Sequence, residues 1–285
     1  MLRFFIFLSL LLVSLEANSE KEGLTYLNTI REHAGLIKLK NNKLLQKAAN
    51  SHAKYLIQNQ KNGHYQKKGK YAFTGTTPSK RVIKVGYPST YVMDNISINT
   101  VGYEKSRDTL FSAIYHRFVF FSLDKDEIGF GVASSKKKRK VNRAYVYNVG
   151  SSHVSKLCNR SYSMENGVYY MQNICKENSK MLPKALFEEK KDEVRRKNGD
   201  IVLYPYDGQT DIWPAFYNES PDPLPGYKVS GFPISVQFNP VDYKNVKLKS
   251  FRLYEAEGKE IKKTKILQQH NDHNHLLSKL EFALM

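Results

Sequence analysis

Leu110-Phe111-Ser112-Ala113-Ile114-Tyr115-His116-Arg117-Phe118 is the stretch whose reading organises the rest of the chain. At 100° per residue, Leu110, Phe111, Ile114, Tyr115 and Phe118 share one side of a helix. His116 falls nearly opposite, with Ser112 one turn before it. The spacing therefore predicts a single helix over 104–121, anchored by an apolar face and holding an imidazole out on the other side. Its neighbours alternate differently. Glu127 to Ala133 and Ala144 to Val149 read as two strands joined by the run Lys136-Lys137-Lys138-Arg139-Lys140. Helices followed by a late hairpin indicate an α+β domain over roughly 20–152.

Upstream, apolar residues three or four apart predict a helix over 24–34. A wider stripe follows: Leu44, Leu45, Ala48, Ala49, His52, Ala53, Leu56 and Ile57. Asn41 or Asn42 can cap it, and Gly63 supplies the left-handed residue that helix ends prefer. His52 sits inside the stripe and reads as a core histidine. His64 follows the stop at Gly63, outside the stripe, and reads as a cleft residue facing His116. Residues 73–99 look loop-like, with a short helix possible over 79–85 after Thr77-Pro78-Ser79.

The 285 residues carry 45 Lys+Arg against 27 Asp+Glu, a formal net charge of +18. Such a field favours anionic partners. The lysines are spread along the whole length, and the one tight run falls at a hairpin tip, so no nucleic-acid partner is expected. Arg3 followed by an apolar run from Phe4 to Val13 reads as a signal peptide over 1–17, cut after Ala17. About ten apolar residues are too few to span a bilayer. No transmembrane anchor is expected, and the mature chain is read as periplasmic or secreted. Cys158 and Cys175 fit that compartment as a disulfide, worth about 3 kcal/mol; zinc and free thiols are the other readings of the pair.

Residues 153–200 read as a Lys/Glu-rich linker carrying the two cysteines, with a helix around 181–197. Composition changes again over 201–285. Ile234 to Phe238, Val246 to Tyr254 and Thr264 to Leu267 look like strands, and Glu257-Gly258 is a hairpin signal. This indicates a small, β-rich, sandwich-like accessory domain. Leu280, Phe282 and Leu284 alternate as a strand that stops at the last residue, which suggests an unpaired edge and a truncated domain.

Several pieces in order resemble one family. They are Leu27-Asn28-x-x-Arg31, Leu45-x-x-Ala48-Ala49-x-x-His52-Ala53, Gly63-His64, Arg81-x-x-x-x-Gly86-Tyr87, Asp94-Asn95-Ile96, His116-Arg117 and Ile128-Gly129-x-Gly131. Together they resemble the CAP superfamily (cysteine-rich secretory proteins, antigen 5 and pathogenesis-related proteins; the SCP domain), in particular its bacterial branch. The tail, with Pro214-Ala215-Phe216-Tyr217-x-Glu219-x-Pro221-Asp222-Pro223-Leu224-Pro225, looks like the accessory region attached to CAP domains in some Gram-negative bacteria. The resemblance implies an α-β-α sandwich with a cleft of two histidines and two acids, where the histidines can bind a divalent metal such as zinc. His64 and His116 match the two histidines. Asp94, with Asn95 beside it, stands where the family has a glutamate, and Met93 replaces a glycine. The second acid has no counterpart in the motif; Glu104 and Asp108 are the nearby carboxylates. The expected site is therefore His64, Asp94, Asn95, Ser112 and His116.

The expectation is an exported binding module of the cell envelope or the extracellular space, taking an envelope lipid, a glycan or a protein. The alternatives are a metal-dependent hydrolase using His64 and His116, and a structural envelope protein with a vestigial cleft. Without HExxH, GxSxG or a nucleophilic Ser or Cys motif, a binding role is favoured over an enzyme.

Overall fold

The computed structural model describes residues 21–217 and 219–285; the signal peptide read over 1–17 lies outside them. The helices are α1 (21–33), α2 (Lys43–Asn59), α3 (Pro78–Lys84), α4 (Tyr103–Ser112), α5 (Ile114–Phe120), α6 (Ser152–Cys158) and α7 (Lys184–Arg195). The first four strands are β1 (Lys40–Asn41), β2 (Met93–Ile98), β3 (Glu127–Ser134) and β4 (Arg143–Gly150). They form a sheet of order β1-β3-β4-β2, with β1 parallel to β3 and the remaining pairs antiparallel.

Alternation along β4 builds a helix layer on each face. Tyr145, Tyr147 and Val149 join Leu27 and Ile30 of α1 and Leu110 and Phe111 of α4 in one core. Ala144 and Val146 join Ala49, Ala53, Leu56 and Ile57 of α2 in another. This is the α-β-α sandwich. Its tightest joint is between α2 and β3, where a Cβ on Gly129 would stand 2.0 Å from Gln46 N and one on Gly131 2.2 Å from Ala49 C. Only glycine in the strand, facing alanine in the helix, permits that approach.

Asn42 caps α2, its side chain accepting from the amides of Leu44 and Leu45. Gln60, at φ 56°, and not Gly63, is the left-handed residue that ends it. Two further expectations are corrected in this half. Within 73–99, Met93–Ile98 is a strand, paired in register with Val149 through Ala144; the polar Asp94-Asn95 pair masked its alternation. The helix predicted over 104–121 is broken at Ala113, which is extended (φ −93°, ψ 116°). The break accompanies a change of packing partner. Leu110 and Phe111 pack into the sheet core, whereas Ile114, Tyr115 and Phe118 pack into a separate cluster with Phe216, Leu224, Leu267 and Ala283. The bend also lets Phe120 of α5 return to the sheet core beside Phe111, 5.3 Å between ring centroids.

The lysine-rich tip 136–140 is exposed between β3 and β4. Beyond β4, residues 153–200 are ordered. α6 and α7 pack with the Cys158–Cys175 disulfide, whose Cα atoms are 5.3 Å apart, beside a ribbon of β5 (Tyr170–Met171) and β6 (Leu182–Pro183).

The C-terminal region is β-rich. It contains β7 (Ile201–Tyr204), β8 (Ala215–Phe216), β9 (Ser230–Gly231), β10 (Ile234–Phe238), β11 (Ile266–Leu267) and β12 (Glu281–Leu284). Four of these form an antiparallel sheet in the order β11-β12-β10-β7, and β8 pairs with β9. The expected unpaired edge at the end of the chain is not found. β12 lies inside the sheet, with Ile234↔Leu284 on one side and Ile266↔Leu284 on the other. Residues 246–254 do not form the expected strand; among the described residues their one bridge is Tyr254↔Glu260, around the turn at Gly258. Val246, Leu248, Phe251 and Leu253 are only half-buried, so no core fixes either face of the segment.

Candidate functional site

His64 is placed by a chain of buried polar contacts that begins in α2. His52 is fully buried, its Nε2–H donating to Gly63 O at 3.1 Å and its Nδ1 accepting from Gln66 Nε2 at 2.9 Å. Burial pushes its pKa down to about 3, which keeps it neutral and able to play both parts. The core histidine thus holds the loop that presents its neighbour in the cleft.

His64 Nδ1–H then donates to Asp94 Oδ1 at 2.7 Å. Arg81, fully buried, donates from Nη2 to Asp94 Oδ2 at 2.8 Å and from Nη1 to the His64 carbonyl at 2.7 Å. Both carboxylate oxygens of Asp94 are therefore engaged. The shorter aspartate orients His64 and neutralises Arg81 at once. The hydrogen bond to Asp94 raises the pKa of His64 above its ordinary 6.5, against the opposing effect of burial.

His116 opens α5, just after the break at Ala113. Its Nδ1–H donates to Glu219 Oε2 at 2.8 Å, and the Tyr115 amide donates to the same oxygen at 3.2 Å. Glu219 is the second acid of the cleft, and it comes from the C-terminal region, 103 residues away. Glu104 and Asp108 are elsewhere; Asp108 accepts from Tyr26 Oη at 2.6 Å, and both line other recesses. Glu219 is one of two acids, with Asp222, inside the proline-rich run 214–225, but nothing local tied that run to α5 or singled out Glu219 within it. Asn95 donates to the His116 carbonyl at 2.8 Å, leaving its Oδ1 buried without a partner. Ser112 does not reach the cleft. It ends α4, and its hydroxyl is turned back to Thr109 O at 2.7 Å.

The two imidazoles stack across the cleft with ring centroids 6.4 Å apart and planes 26° from parallel. They stand at the edge of a cavity of about 570 Å³. Phe118 and Val119 of α5 wall one side, and Phe238, Leu276 and Leu280 of the C-terminal region wall the other. Arg195, Asp124 and Glu281 add polar groups to the lining.

Carboxylate-backed histidines of this kind are half of a metal site, since a ligating imidazole commonly donates its other N–H to a carboxylate. The remaining half does not fit. A tetrahedral zinc about 2 Å from each nitrogen holds two ring centroids about 5 Å apart, and here they are 6.4 Å apart. Both acids are engaged by Nδ1 atoms and by Arg81, and no group of three His, Cys, Asp or Glu among the described residues is arranged around one point. As placed, the rings and acids of the described residues do not fit a tetrahedral zinc between them.

Residues 24–150 match the model of the cysteine-rich secretory protein family, CAP. Comparison with curated protein sequences finds no match. Among solved structures, an outer surface protein from Borrelia burgdorferi is 18% identical, the match covering 47% of this chain and 92% of that one at a TM-score of 0.41. An extracellular protein containing a SCP domain from Bacillus anthracis is 17% identical over 46% of this chain and 40% of that one, at a TM-score of 0.40. The ordered motifs and the sandwich they build agree with the family match, which identifies residues 24–150 as the CAP, or cysteine-rich secretory protein, segment of the chain.

Proposed function

We propose that this chain is an exported CAP-domain protein of the cell envelope or extracellular space, and that its two-histidine cleft binds a ligand with an apolar body and a polar head. The observation that carries the reading is the cavity of about 570 Å³ between α5 and the C-terminal sheet. That size suits a small organic ligand, and apolar walls with a few convergent polar groups are the usual form of such sites. The head lies against His64 and His116, and an imidazole accepts from a hydroxyl head when neutral and donates to a carboxylate head when protonated, the second being favoured at His64 by its raised pKa. Export is supported by the Cys158–Cys175 disulfide, and among the described residues no helix is long and apolar enough to cross a membrane.

A binding role is favoured over hydrolysis because, among the described residues, neither cleft imidazole is hydrogen-bonded to a hydroxyl or thiol. Nδ1 of each goes to a carboxylate, and Ser122 in the cavity wall donates to Asp124 instead. The test is displacement of an environment-sensitive naphthalene sulfonate dye by dodecanoic acid. Saturable displacement, weakened in His116→Ala, supports the reading; an inability of the acid to displace the dye, or equal displacement in the variant, counts against it.

A further inference from the structure

A second recess shares no lining residue with the cleft. It has a volume of about 340 Å³ and lies between α1, α4 and the loop after β7. Tyr26, Tyr206, Trp213 and Phe232 line it, with Asp108 among them. Trp213 is the only tryptophan of the chain and is 37% exposed. Tyr206 is braced by His33 at 4.9 Å and by Tyr204 at 6.4 Å between ring centroids. Asp108 accepts from Tyr26 Oη through Oδ1 at 2.6 Å, and its Oδ2 has no protein partner among the described residues. Tyr26, Tyr206 and Phe232 are half-buried against the sheet core, with Arg107 over the Tyr26 ring at 5.0 Å and Arg117 over the Phe232 ring at 5.0 Å, so the exposed Trp213 and the free oxygen of Asp108 are what the recess offers a ligand.

Two ligand chemistries use flat aromatic faces beside a carboxylate: organic cations, through the ring quadrupole, and pyranose sugars, through an apolar C–H face and hydroxyl donors. The surroundings separate them. The Lys105 ammonium already stands over the Trp213 ring at 5.5 Å, and the chain carries a net charge of +18, so a second cation is repelled. A neutral polyol is not repelled by that charge, and the exposed Lys105 side chain is free to swing off the ring and donate to a sugar hydroxyl. We propose that this recess is a subsite for a neutral pyranose sugar, stacked on Trp213 with one or more of its hydroxyls donating to Asp108.

The single tryptophan makes the test direct. The full chain is titrated with methyl glucoside, N-acetylglucosamine and short oligomers of each while Trp213 emission is followed. A saturable change in the millimolar range characteristic of weak sites is expected with at least one of them. Asp108→Asn, which leaves Tyr26 an acceptor, should weaken it about tenfold or more, with an unchanged melting temperature. Trp213→Phe, followed by calorimetry because its signal is lost, should weaken it as well, and His116→Ala should leave it intact. Emission that answers to tetramethylammonium and to no sugar, or to neither, overturns the proposal. Sugar binding that Asp108→Asn and Trp213→Phe both leave unchanged lies elsewhere and overturns it too.

Discussion

Glu219 accepts a hydrogen bond from His116 Nδ1 at 2.8 Å with its side chain only 1% exposed. The C-terminal region is therefore part of the cleft. It sets the imidazole of a CAP-domain helix and walls the cavity beside it. Glu219→Ala leaves His116 Nδ1 and the Tyr115 amide without their acceptor. Each buried donor stranded in this way costs about 1–3 kcal/mol. With two donors stranded, urea unfolding should show a loss of about 2 kcal/mol or more for Glu219→Ala and a smaller one for Glu219→Gln, which keeps an acceptor. Equal stability of Glu219→Ala and the parent would show that the contact does not form.

His64 predicts a pH dependence of definite sign. Its folded pKa is raised above 6.5, so its pairing with Asp94 stabilises fully below the unfolded value and fades as pH rises through the folded one. His52 acts in the opposite sense, because its folded pKa is held down to about 3 and acid favours the unfolded state. Only the difference between parent and His64→Gln isolates the first effect. That difference in melting temperature should be larger at pH 5.5 than at pH 8.5; a difference that grows with pH would refute the assignment.

The joint between α2 and β3 is tested by Gly131→Ala. The added Cβ would stand 2.2 Å from the backbone of Ala49 and Asn50, so helix and strand must move apart. A loss of about 3 kcal/mol or more is expected, at the upper end for overpacking. Gly231→Ala meets nothing within 4 Å and should lose far less. Comparable losses in the two, by denaturant titration, would mean that the close approach does not govern packing.

Zinc is the discriminating ion for the histidine pair. With ring centroids at 6.4 Å and both acids engaged, calorimetric titration of the purified protein should show no stoichiometric uptake at micromolar zinc. Tight uptake that His64→Ala and His116→Ala abolish would show that the rings close on a metal after all.

The sandwich was legible because its signals are local and periodic. The Leu44–Ile57 stripe and the alternation of β3 and β4 each declare a buried face. His64 and His116 stood out because periodicity placed them off the apolar faces. Three features were not legible, each for a physical reason. β2 hides its period behind Asp94 and Asn95, whose polar groups are taken up by Arg81, His64 and His116. The break at Ala113 has no glycine or proline to announce it, and it shows only in the tertiary fold, where Ile114, Tyr115 and Phe118 meet the C-terminal cluster. Glu219 reaches His116 only through the tertiary fold, and no spacing rule connects residues 103 apart.

The central claim, that the cavity between α5 and the C-terminal sheet is a ligand site, is met most directly by calorimetric titration of dodecanoic acid into the parent chain and into Val119→Trp. Val119 lines the cavity and is only partly buried, so the larger ring can occupy the space the ligand would take. The account predicts saturable binding of one acid per chain to the parent and its loss in Val119→Trp at an unchanged melting temperature. No saturable binding to the parent, or equal binding to a folded Val119→Trp, would contradict it.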